Sequence, residues 1–562
     1  MSELRSADGA SKSISAPTVR GTEAIWMMAV ALLATLPFLA KPLHIDDPAD
    51  LEYVEQVLRH PGDPYGFEVD WDEGPRSAFR NYHPPLKYYY HALFLWLFPY
   101  SEITLHASYI PFVMLTAWAV IRLAHRFDCP PILLLVLWML GPGYLPGQNA
   151  MLDVPTMALG LAGTALFIEG VDRNRWAGLL MGSVLLGSAL LTKYSAIIYL
   201  PVWVGYLLAF GRGRHWLILG VPALMFAAWC GVSALLYGEM HPQVLFTRVP
   251  GHPRTLIAPQ RFWSAVIFLG GAMPTALALQ PMRGRGGGIA LLAALGLVSA
   301  LVWAAPPARR VLNESTELTA VNLCLWCVLA ASGAGVVLFA VLRGTTSAWS
   351  RASSSPGWRD EAFLSYWFVG TLVIGVLTSP FMAMRRVVEA CLPAWMLLTR
   401  RIPSGRWGRV VAWSAAVVNS LLGFTVAAAD YEFARVYATF ARNLAEISGP
   451  GSGRVWCHGY WGWYHYTRLQ ELRQYVIGRD EPPPKSLLVI PGAVAKPAVM
   501  PESLRRRARW VGRQDVPGYI PIRLMSYQAG AGYYSTSWGP LPYAWSMLPW
   551  DVFNFFEVTE QE

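Results

Sequence analysis

The stretch AIWMMAVALLATLPFLAKPLHIDDPAD, residues 24–50, joins a long apolar segment directly to a pair of adjacent acidic residues. A helix crosses a bilayer with roughly 17 to 25 apolar residues, and residues 24–41 meet that length. Asp46 and Asp47 follow at the predicted membrane boundary. The stretch therefore predicts a membrane-spanning helix that ends beside two carboxylates.

The composition extends this prediction to most of the chain. Of its 562 residues, 54% are hydrophobic and only 14% are charged, whereas about 25% of the residues of soluble proteins are charged. The net charge of +9 comes largely from arginine clusters in short loops, which is the usual topology signal of membrane proteins. We therefore predict a polytopic all-α membrane protein of a bacterial inner (plasma) membrane, without a nucleic acid partner.

About thirteen apolar segments are long enough to be predicted as membrane-spanning helices. The arginine clusters fall in alternate loops between them, as expected when one side of the membrane is enriched in positive charge. The predicted spans lie at residues 24–41, 104–125, 131–147, 151–170, 175–192, 194–210, 215–237, 261–280, 287–304, 319–342, 361–378, 380–400 and 407–428.

Residues 86–98 form one further apolar run, and its placement decides the topology. If this run crossed the membrane, every later arginine cluster would lie opposite the basic N-terminal tail, which contradicts the positive-inside rule. The run is also short and contains Lys87 and His91, as expected of a helix that lies along the interface. We therefore predict a cytoplasmic N-terminus and a periplasmic C-terminus.

The predicted topology divides the chain into three parts. Residues 1–22 form a polar, disordered cytoplasmic tail, and residues 23–428 form the membrane domain, with a periplasmic loop and interfacial helices at 42–100. Residues 429–562 contain short strand-like runs separated by Gly and Pro, which is typical of a small α/β domain. We predict that this domain is periplasmic, with strands at residues 454–458, 486–490, 509–511, 520–525 and 554–558.

Three aspartates lie at predicted outer ends of helices. Asp46 and Asp47 follow the first span, and Asp153 begins another. A carboxylate at such a position can accept a proton from a substrate hydroxyl as a general base. It can also cap the helix, and a proline in the following turn favours capping by Asp47 and by Asp153. Asp46 stays free in either case and is therefore a candidate for chemistry.

A divalent cation is an alternative occupant of the acidic pair, because carboxylate oxygens are ligands that Mg²⁺ and Ca²⁺ prefer. Cys324 and Cys327 have the spacing of zinc ligands, but they lie in an apolar segment without a second ligand pair, so we interpret that spacing as chance. No cofactor is assigned from the sequence. The candidate metal ligands are Asp46, Asp47, His241 and His252.

Basic side chains are predicted at the same outer face. Lys193 follows one predicted span, and Arg385 and Arg386 interrupt another near its outer end. Ammonium and guanidinium groups at a membrane surface need anions, and a lipid phosphate is a suitable one. His83 and Lys87, at the entry to the interfacial helix, are further candidates for binding a phosphate or polarising a leaving group.

These motifs, in this order, resemble those of the GT-C glycosyltransferases, in the branch of the protein O-mannosyltransferases and the lipid A aminoarabinose transferase. No single motif is specific, whereas the ordered set together with the spans is. The resemblance covers residues 24 to about 400 and is carried by His44-Ile45-Asp46-Asp47, His83-Pro84-Pro85-Leu86, Met151-Leu152-Asp153-Val154-Pro155, residues 187–193 and Met384-Arg385-Arg386.

Two departures bear on the acceptor. Tyr82-His83 stands where the aminoarabinose transferases have Glu-Lys, which is closer to the mannosyltransferase pattern. The residues after the acidic pair, Pro48-Ala49-Asp50, lack the Arg that the lipid A enzymes place nearby. Lipid A is therefore not predicted as the acceptor.

The resemblance implies inverting transfer of a sugar, hexosyl or pentosyl, from a polyprenyl-phosphate donor to a lipid, glycan or protein acceptor at the outer face of the membrane. It implies that Asp46 is the base, that Asp47 positions the acceptor or a cation, and that Asp153 lines the same cavity. The cations implied to hold the lipid phosphate are Lys87, Lys193 and Arg385.

Two other functions stay open at this point. One is a transporter or lipid flippase without transferase activity, although a transport path should place ionisable residues near the bilayer midplane rather than at helix ends. The other is a catalytically inert relative that binds carbohydrate through its Trp- and Tyr-rich C-terminal domain.

Overall fold

The computed structural model describes residues 20–70, 75–80, 83–211, 213–245, 258–280, 319–349, 357–449, 453–493 and 500–560. The predicted span at 287–304 lies outside these ranges, as does the predicted tail at 1–22 except for its last three residues. Gly21 already begins the first helix.

Helices make up most of the described chain, and several of them begin with proline in the first turn, where its missing N–H is not needed. The α-helices are α1 Gly21–Thr35, α2 Asp47–Arg59, α3 Leu86–Leu97, α4 Glu102–Ala107, α5 Ile110–Arg126, α6 Pro131–Met139, α7 Asp153–Arg173, α8 Trp176–Leu190, α9 Tyr199–Phe210, α10 Gly220–Tyr237, α11 Ala258–Ala272, α12 Ala276–Leu279, α13 Ala320–Trp349, α14 Trp358–Thr378, α15 Val388–Thr399, α16 Arg406–Ser448, α17 Trp461–Leu469 and α18 Glu502–Arg507.

Seven helices in the described ranges are long and apolar enough to cross a membrane: Gly21–Phe38, Glu102–Arg126, Asp153–Arg173, Gly213–Tyr237, Ala320–Ser347, Trp358–Thr378 and Arg406–Ser448. Shorter apolar helices occur at Trp176–Leu190, Tyr194–Phe210, Arg261–Ala272 and Val388–Thr399. The chain is therefore a multi-pass membrane protein, as predicted. The count of thirteen crossings and the side of each loop stay predictions.

In several predicted spans the helix is shorter than the apolar run, as in 131–147 and 380–400. α6 ends at Met139, because Gly141-Pro142-Gly143 follows it. α15 begins only at Val388, after the short 3-10 turn Met384–Arg386. Gly and Pro interrupt an apolar run that composition alone counts as one helix.

The apolar run 86–98, which decides the predicted topology, forms the single helix α3 over Leu86–Leu97. At 1.5 Å per residue, its 12 residues extend about 18 Å, and the hydrocarbon core of a bilayer is about 30 Å thick. Trp96 and Leu97 are exposed, whereas Lys87 and His91 are buried. The helix thus has one apolar surface turned outward and a polar one packed inward.

Ion pairs join several helix ends at one end of the helical region. Arg126, at the end of α5, pairs with Asp172 near the end of α7 and lies 3.0 Å from Asp360 in the first turn of α14. Arg400, just after α15, lies 3.7 Å from the same Asp360. Asp153 begins α7, and Arg385 lies just before α15. The predicted site residues therefore lie at the end of the helical region opposite these ion pairs.

The C-terminal residues form a mixed β-sheet. A separate hairpin in the loop after the first span consists of β1 Glu68–Asp70 and β2 Pro75–Ser77. The C-terminal strands are β3 Val455–Cys457, β4 Arg473–Gln474, β5 Leu487–Pro491, β6 Ala508–Val516, β7 Ile522–Arg523, β8 Met525–Ser526, β9 Ala531–Gly532, β10 Ala544–Trp545 and β11 Asp551–Val558. Five of them pair in the order β4-β3-β5-β11-β6. β3 is parallel to β4 and β5, and β11 is antiparallel to β5 and β6, with Phe553 opposite Pro491.

Helix α16 connects the sheet to the membrane helices without interruption. Its 43 residues extend about 65 Å at 1.5 Å per residue, roughly twice the hydrocarbon thickness. Phe440, in its last third, stacks on Phe553 of β11 at a ring separation of 3.5 Å, and Tyr437 donates to Asp551 at 3.0 Å. The sheet is therefore packed directly on a helix that enters the membrane region.

Candidate active site

The acidic pair lies in a tight turn before α2. The Asp47 N–H donates to the His44 carbonyl at 3.0 Å, and the His44 N–H donates back to the Asp47 carboxylate at 3.1 Å. Ile45, between them, has a φ of 50°, a left-handed conformation that is strained for a β-branched residue. The turn directs the carboxylates of Asp46 and Asp47 to different surroundings.

The capping role predicted for Asp47 is wrong. α2 begins at Asp47, its N-cap residue is Asp46, and neither side chain caps the helix. The Asp47 carboxylate folds back onto the preceding turn and is only 1% exposed. Burial raises the pKa of Asp47 to about 8, so the protonated acid is favoured at neutral pH.

Four predicted residues form a continuous chain of charges, which we call the charge chain: Asp46, Arg385, Asp153 and Lys193. Arg385 Nη1 lies 3.1 Å from Asp46 Oδ2 and 3.9 Å from Asp153 Oδ2. Lys193 Nζ donates to Asp153 Oδ1 at 2.6 Å. Asp46 has the most accessible side chain of the four, with 34% exposed, against 5% for Lys193.

Arg386 lies beside the charge chain and makes no direct contact with an anion among the described residues, although the carboxylates of Asp153 and Glu389 act on it through space. Its side chain forms no hydrogen bond or ion pair there, and its Nε is buried without a partner. Arg385 Nε and one oxygen of Glu389 are likewise buried and unpartnered within the described ranges. Buried guanidinium groups are costly unless they meet an anion, so this region is suited to bind one.

His83 lies close to the same charges. Its carbonyl accepts a hydrogen bond from the Tyr65 hydroxyl at 2.6 Å, and its Nδ1 is buried without a partner among the described atoms. Burial lowers the pKa of His83 well below its usual value, and the nearby Lys193 charge acts in the same direction. A neutral imidazole can donate or accept a hydrogen bond here, but it adds no positive charge.

Lys87 does not join the charge chain. Its ammonium donates to Asp50 at 2.7 Å and to the Ala150 carbonyl at 2.6 Å, and it is 3% exposed. Tyr88 adds a hydrogen bond to Asp50 at 3.3 Å. These contacts tie α2 and α3 to the segment just before Asp153, so Lys87 supports the site and its charge is already paired.

The geometry does not favour a divalent cation at the acidic pair. Asp47 is 1% exposed and accepts a hydrogen bond from the His44 N–H, and Asp46 lies 3.1 Å from the Arg385 guanidinium group. His241 Nδ1 lies 2.6 Å from the Tyr194 hydroxyl, and its ring stacks on Tyr65. Within the described residues no group of three His, Cys, Asp or Glu has an arrangement that could hold a metal. The fourth predicted ligand, His252, lies outside those residues.

A second polar cluster beside the acidic pair was missed by the sequence analysis. Lys41 pairs with Asp430 of α16 and donates to Asn149, while Tyr534 donates to Asp430 at 2.6 Å. His44 Nε2 lies 3.6 Å from the same carboxylate. We call these five residues the Asp430 cluster. The sequence contains one signal for this cluster, because Lys41 and Asp430 carry opposite charges at the ends of the first and last predicted spans.

No protein-family model matches the chain, and no curated protein matches it. Among solved structures it is similar to the arabinofuranosyltransferase AftD from Mycobacteria, with a TM-score of 0.41 and 13% identity. That similarity covers 97% of this chain and 40% of AftD, so the chain spans less than half of AftD.

Two further solved structures are similar. One is ArnT from Cupriavidus metallidurans bound to undecaprenyl phosphate, with a TM-score of 0.39 and 15% identity over 83% of this chain and 92% of ArnT. The other is the archaeal oligosaccharyltransferase AglB from Archaeoglobus fulgidus in complex with an inhibitory peptide and a dolichol-phosphate. Its TM-score is 0.47 and its identity 11%, over 81% of this chain and 65% of AglB.

Proposed function

We propose that this protein is an inverting glycosyltransferase that moves a sugar from a polyprenyl-phosphate donor to an acceptor hydroxyl at the outer face of a bacterial inner membrane. The observation that carries the proposal is the charge chain with Arg386 unpaired beside it. An accessible carboxylate and several fixed cations lie together at one end of the helical region, as the base and the leaving-group site of such a transfer must.

Asp46 is the proposed general base. It is the most accessible carboxylate of the charge chain, and Arg385 orients it from 3.1 Å. In the transfer, Asp46 takes the proton of the acceptor hydroxyl while the oxygen of that hydroxyl attacks the anomeric carbon of the sugar. The bond between that carbon and the phosphate oxygen breaks, and the polyprenyl phosphate leaves with the electron pair.

Arg386 and Arg385 are proposed to bind the phosphate, with Lys193 behind them. The leaving phosphate gains negative charge as the glycosidic bond breaks, and cations already fixed in place stabilise that charge without reorganising. Arg386 forms no direct ion pair among the described residues, and the Nε atoms of Arg385 and Arg386 are both buried without a hydrogen-bond partner there. Asp153 holds Lys193 at 2.6 Å and so positions this cation for the phosphate.

Transfer from radiolabelled polyprenyl-phosphate sugars tests the proposal. Purified protein in nanodiscs would receive hexosyl and pentosyl donors with an extract of envelope lipids and glycans. We expect Asp46→Asn to lower kcat by about 10²- to 10⁴-fold with little change in the affinity for undecaprenyl phosphate. Arg386→Ala should weaken that affinity roughly 10- to 100-fold, because a charge-assisted hydrogen bond is lost.

Asp515→Asn is the matched control, since Asp515 is an exposed aspartate of the C-terminal sheet that pairs with Arg513. It should leave both quantities unchanged. Equal transfer by the wild type and Asp46→Asn would refute the role of Asp46. Lipid translocation or coupled uptake by proteoliposomes, without any transfer, would instead favour a flippase or transporter.

A further inference from the structure

Residues 533–536 of the C-terminal region return to the turn that carries Arg385 and Arg386. The Thr536 N–H donates to the Met382 carbonyl at 2.8 Å, and the Met382 N–H donates to the Thr536 hydroxyl at 3.1 Å. The Met384 N–H donates to the Tyr533 carbonyl at 2.9 Å. Three hydrogen bonds therefore fix the chain immediately before Arg385.

Water cannot replace these hydrogen bonds. Thr536 is 2% exposed, and Met382 and Met384 are fully buried. A buried main-chain N–H without a partner is strongly disfavoured. The Thr536 hydroxyl is the acceptor for the Met382 N–H, so a side chain from the C-terminal region completes the hydrogen bonding of the membrane region.

The segment 530–541 that presents Thr536 is itself firmly held. Gly532 donates its N–H to the Leu541 carbonyl at 2.8 Å, and a Cβ at Gly532 would lie 2.2 Å from the Ser535 carbonyl oxygen. On its other side, the Tyr534 hydroxyl reaches Asp430 at 2.6 Å. The tight bend requires glycine and leaves Thr536 little freedom to move away.

We infer that Thr536 is a positioning residue: it holds the 382–386 turn so that Arg385 faces Asp46 and Arg386 faces the donor phosphate. The inference rests on the proposed function for its catalytic consequence. It also gives the C-terminal region a role in the site, because the turn begins at residues bonded to that region rather than to a neighbouring helix. A displacement of about 1 Å at such a site can lower the rate about 100-fold.

Thr536→Val tests the inference, because valine matches threonine in shape and lacks the acceptor. Hydrogen–deuterium exchange of the main-chain N–H groups of Met382 and Met384 should accelerate at least about tenfold. Transfer should fall about 10- to 100-fold, and undecaprenyl phosphate should bind more weakly, while the melting temperature shifts by only a few degrees. Thr536→Ser keeps the hydroxyl and should restore both exchange and transfer.

Thr559→Val is the matched control, since the Thr559 hydroxyl donates to the Arg507 carbonyl at 2.9 Å within the C-terminal region. It should change neither exchange at 382–384 nor transfer. If Thr536→Val does not fold, Thr536→Ala removes the acceptor without adding volume and is judged by the same criteria.

The inference would be overturned if the Met382 and Met384 N–H groups of a folded Thr536→Val or Thr536→Ala protein exchanged at the wild-type rate. It would also be overturned if their exchange accelerated while transfer stayed unchanged. If the wild type transfers no sugar, the proposed function fails separately. Exchange at Met382 and Met384, together with the affinity for undecaprenyl phosphate, still decides whether Thr536 positions the turn. Faster exchange and weaker binding in the valine variant than in the wild type would support that role.

Discussion

Asp46 and Asp47 are adjacent in the chain but have opposite environments. Asp46 is one-third exposed and faces Arg385, whereas Asp47 is buried and accepts a hydrogen bond from the His44 N–H. The positive φ of Ile45 makes this separation possible, and strain of this kind costs about 1–3 kcal/mol and is common at functional sites. At the residue scale, the backbone turn thus decides which carboxylate is available for chemistry.

The buried Asp47 predicts a pH-dependent stability. Its pKa rises from an ordinary 3.8 to about 8 in the folded protein, so the folded state binds this proton more tightly than the unfolded state. The contribution of protonated Asp47 to the free energy of unfolding is therefore fully present below about pH 4 and is lost as the pH rises through about 8. We expect the melting temperature of the detergent-solubilised protein to fall across this range because of Asp47.

Asp47→Asn should remove this loss, since the amide oxygen still accepts from the His44 N–H and carries no charge. Its melting temperature should change less between pH 5 and 8 than that of the wild type, as followed by tryptophan fluorescence. Parallel pH profiles for the two proteins would contradict a protonated Asp47. Asp480→Asn, at an aspartate that accepts from the Val476 N–H in the C-terminal region, serves as the control.

At the scale of elements, the Asp430 cluster joins parts of the chain that are far apart in sequence. Lys41 follows α1, Asn149 precedes α7, Asp430 belongs to α16, and Tyr534 comes from the C-terminal region. Lys41, Asn149 and Asp430 are at most 2% exposed. Because a buried charge that loses its partner is costly, the cluster should make the packing of these elements mutually dependent.

A double-mutant cycle on Lys41 and Asp430 measures that dependence. Lys41→Met or Asp430→Asn alone should lower the free energy of unfolding by about 3–5 kcal/mol, because each leaves a buried partner unpaired. The double variant should be considerably less destabilised than the sum of the two. The exposed pair Arg513 and Asp515 is the control, with an expected coupling of about 0–1 kcal/mol.

Urea unfolding in mild detergent would provide these free energies. Strict additivity of the Lys41 and Asp430 substitutions would show that the two residues are not energetically coupled, whatever their separation in the structure.

At the scale of the whole molecule, two groups of charges lie at opposite ends of the helical region. One is the ion-pair group around Arg126 and Asp360, and the other is the charge chain. The C-terminal region belongs to the same end as the charge chain, because its sheet packs on α16 and its residues 533–536 are hydrogen-bonded to the 382–386 turn. We therefore predict that this end faces the periplasm and the Arg126 end faces the cytoplasm.

Cysteine labelling in intact cells tests this orientation. Asp515→Cys, in the sheet, should react with a membrane-impermeant maleimide, whereas Arg406→Cys, at the start of α16, should react only after the cells are opened. Cys324, which is exposed, is replaced by Ser in both proteins so that it does not contribute. Labelling of Arg406→Cys in intact cells would reverse the predicted topology.

Much of this protein could be predicted from its sequence, because the responsible interactions are local or follow from solvent. Apolar length determines where helices are long enough to span a bilayer, and arginine clusters predict their orientation. The strands at 455–457, 487–491 and 551–558 overlap predicted runs, because β-branched and aromatic residues bounded by Gly and Pro are a local signal. Asp46, Asp153, Lys193 and Arg385 could be chosen as ionisable residues at helix ends.

Only the tertiary structure decided how these residues divide their roles. Whether a carboxylate is paired, buried or open depends on distant side chains, and neither Lys87 with Asp50 nor Lys41 with Asp430 could be matched from spacing. The same holds for Thr536, which lies more than 150 positions after Met382 and meets it only because α16 and the sheet bring the chain back. The sequence by itself determined a multi-pass membrane protein with charges at its helix ends. Packing determined which of those charges face each other, because electrostatic partners are selected by distance in space and not along the chain.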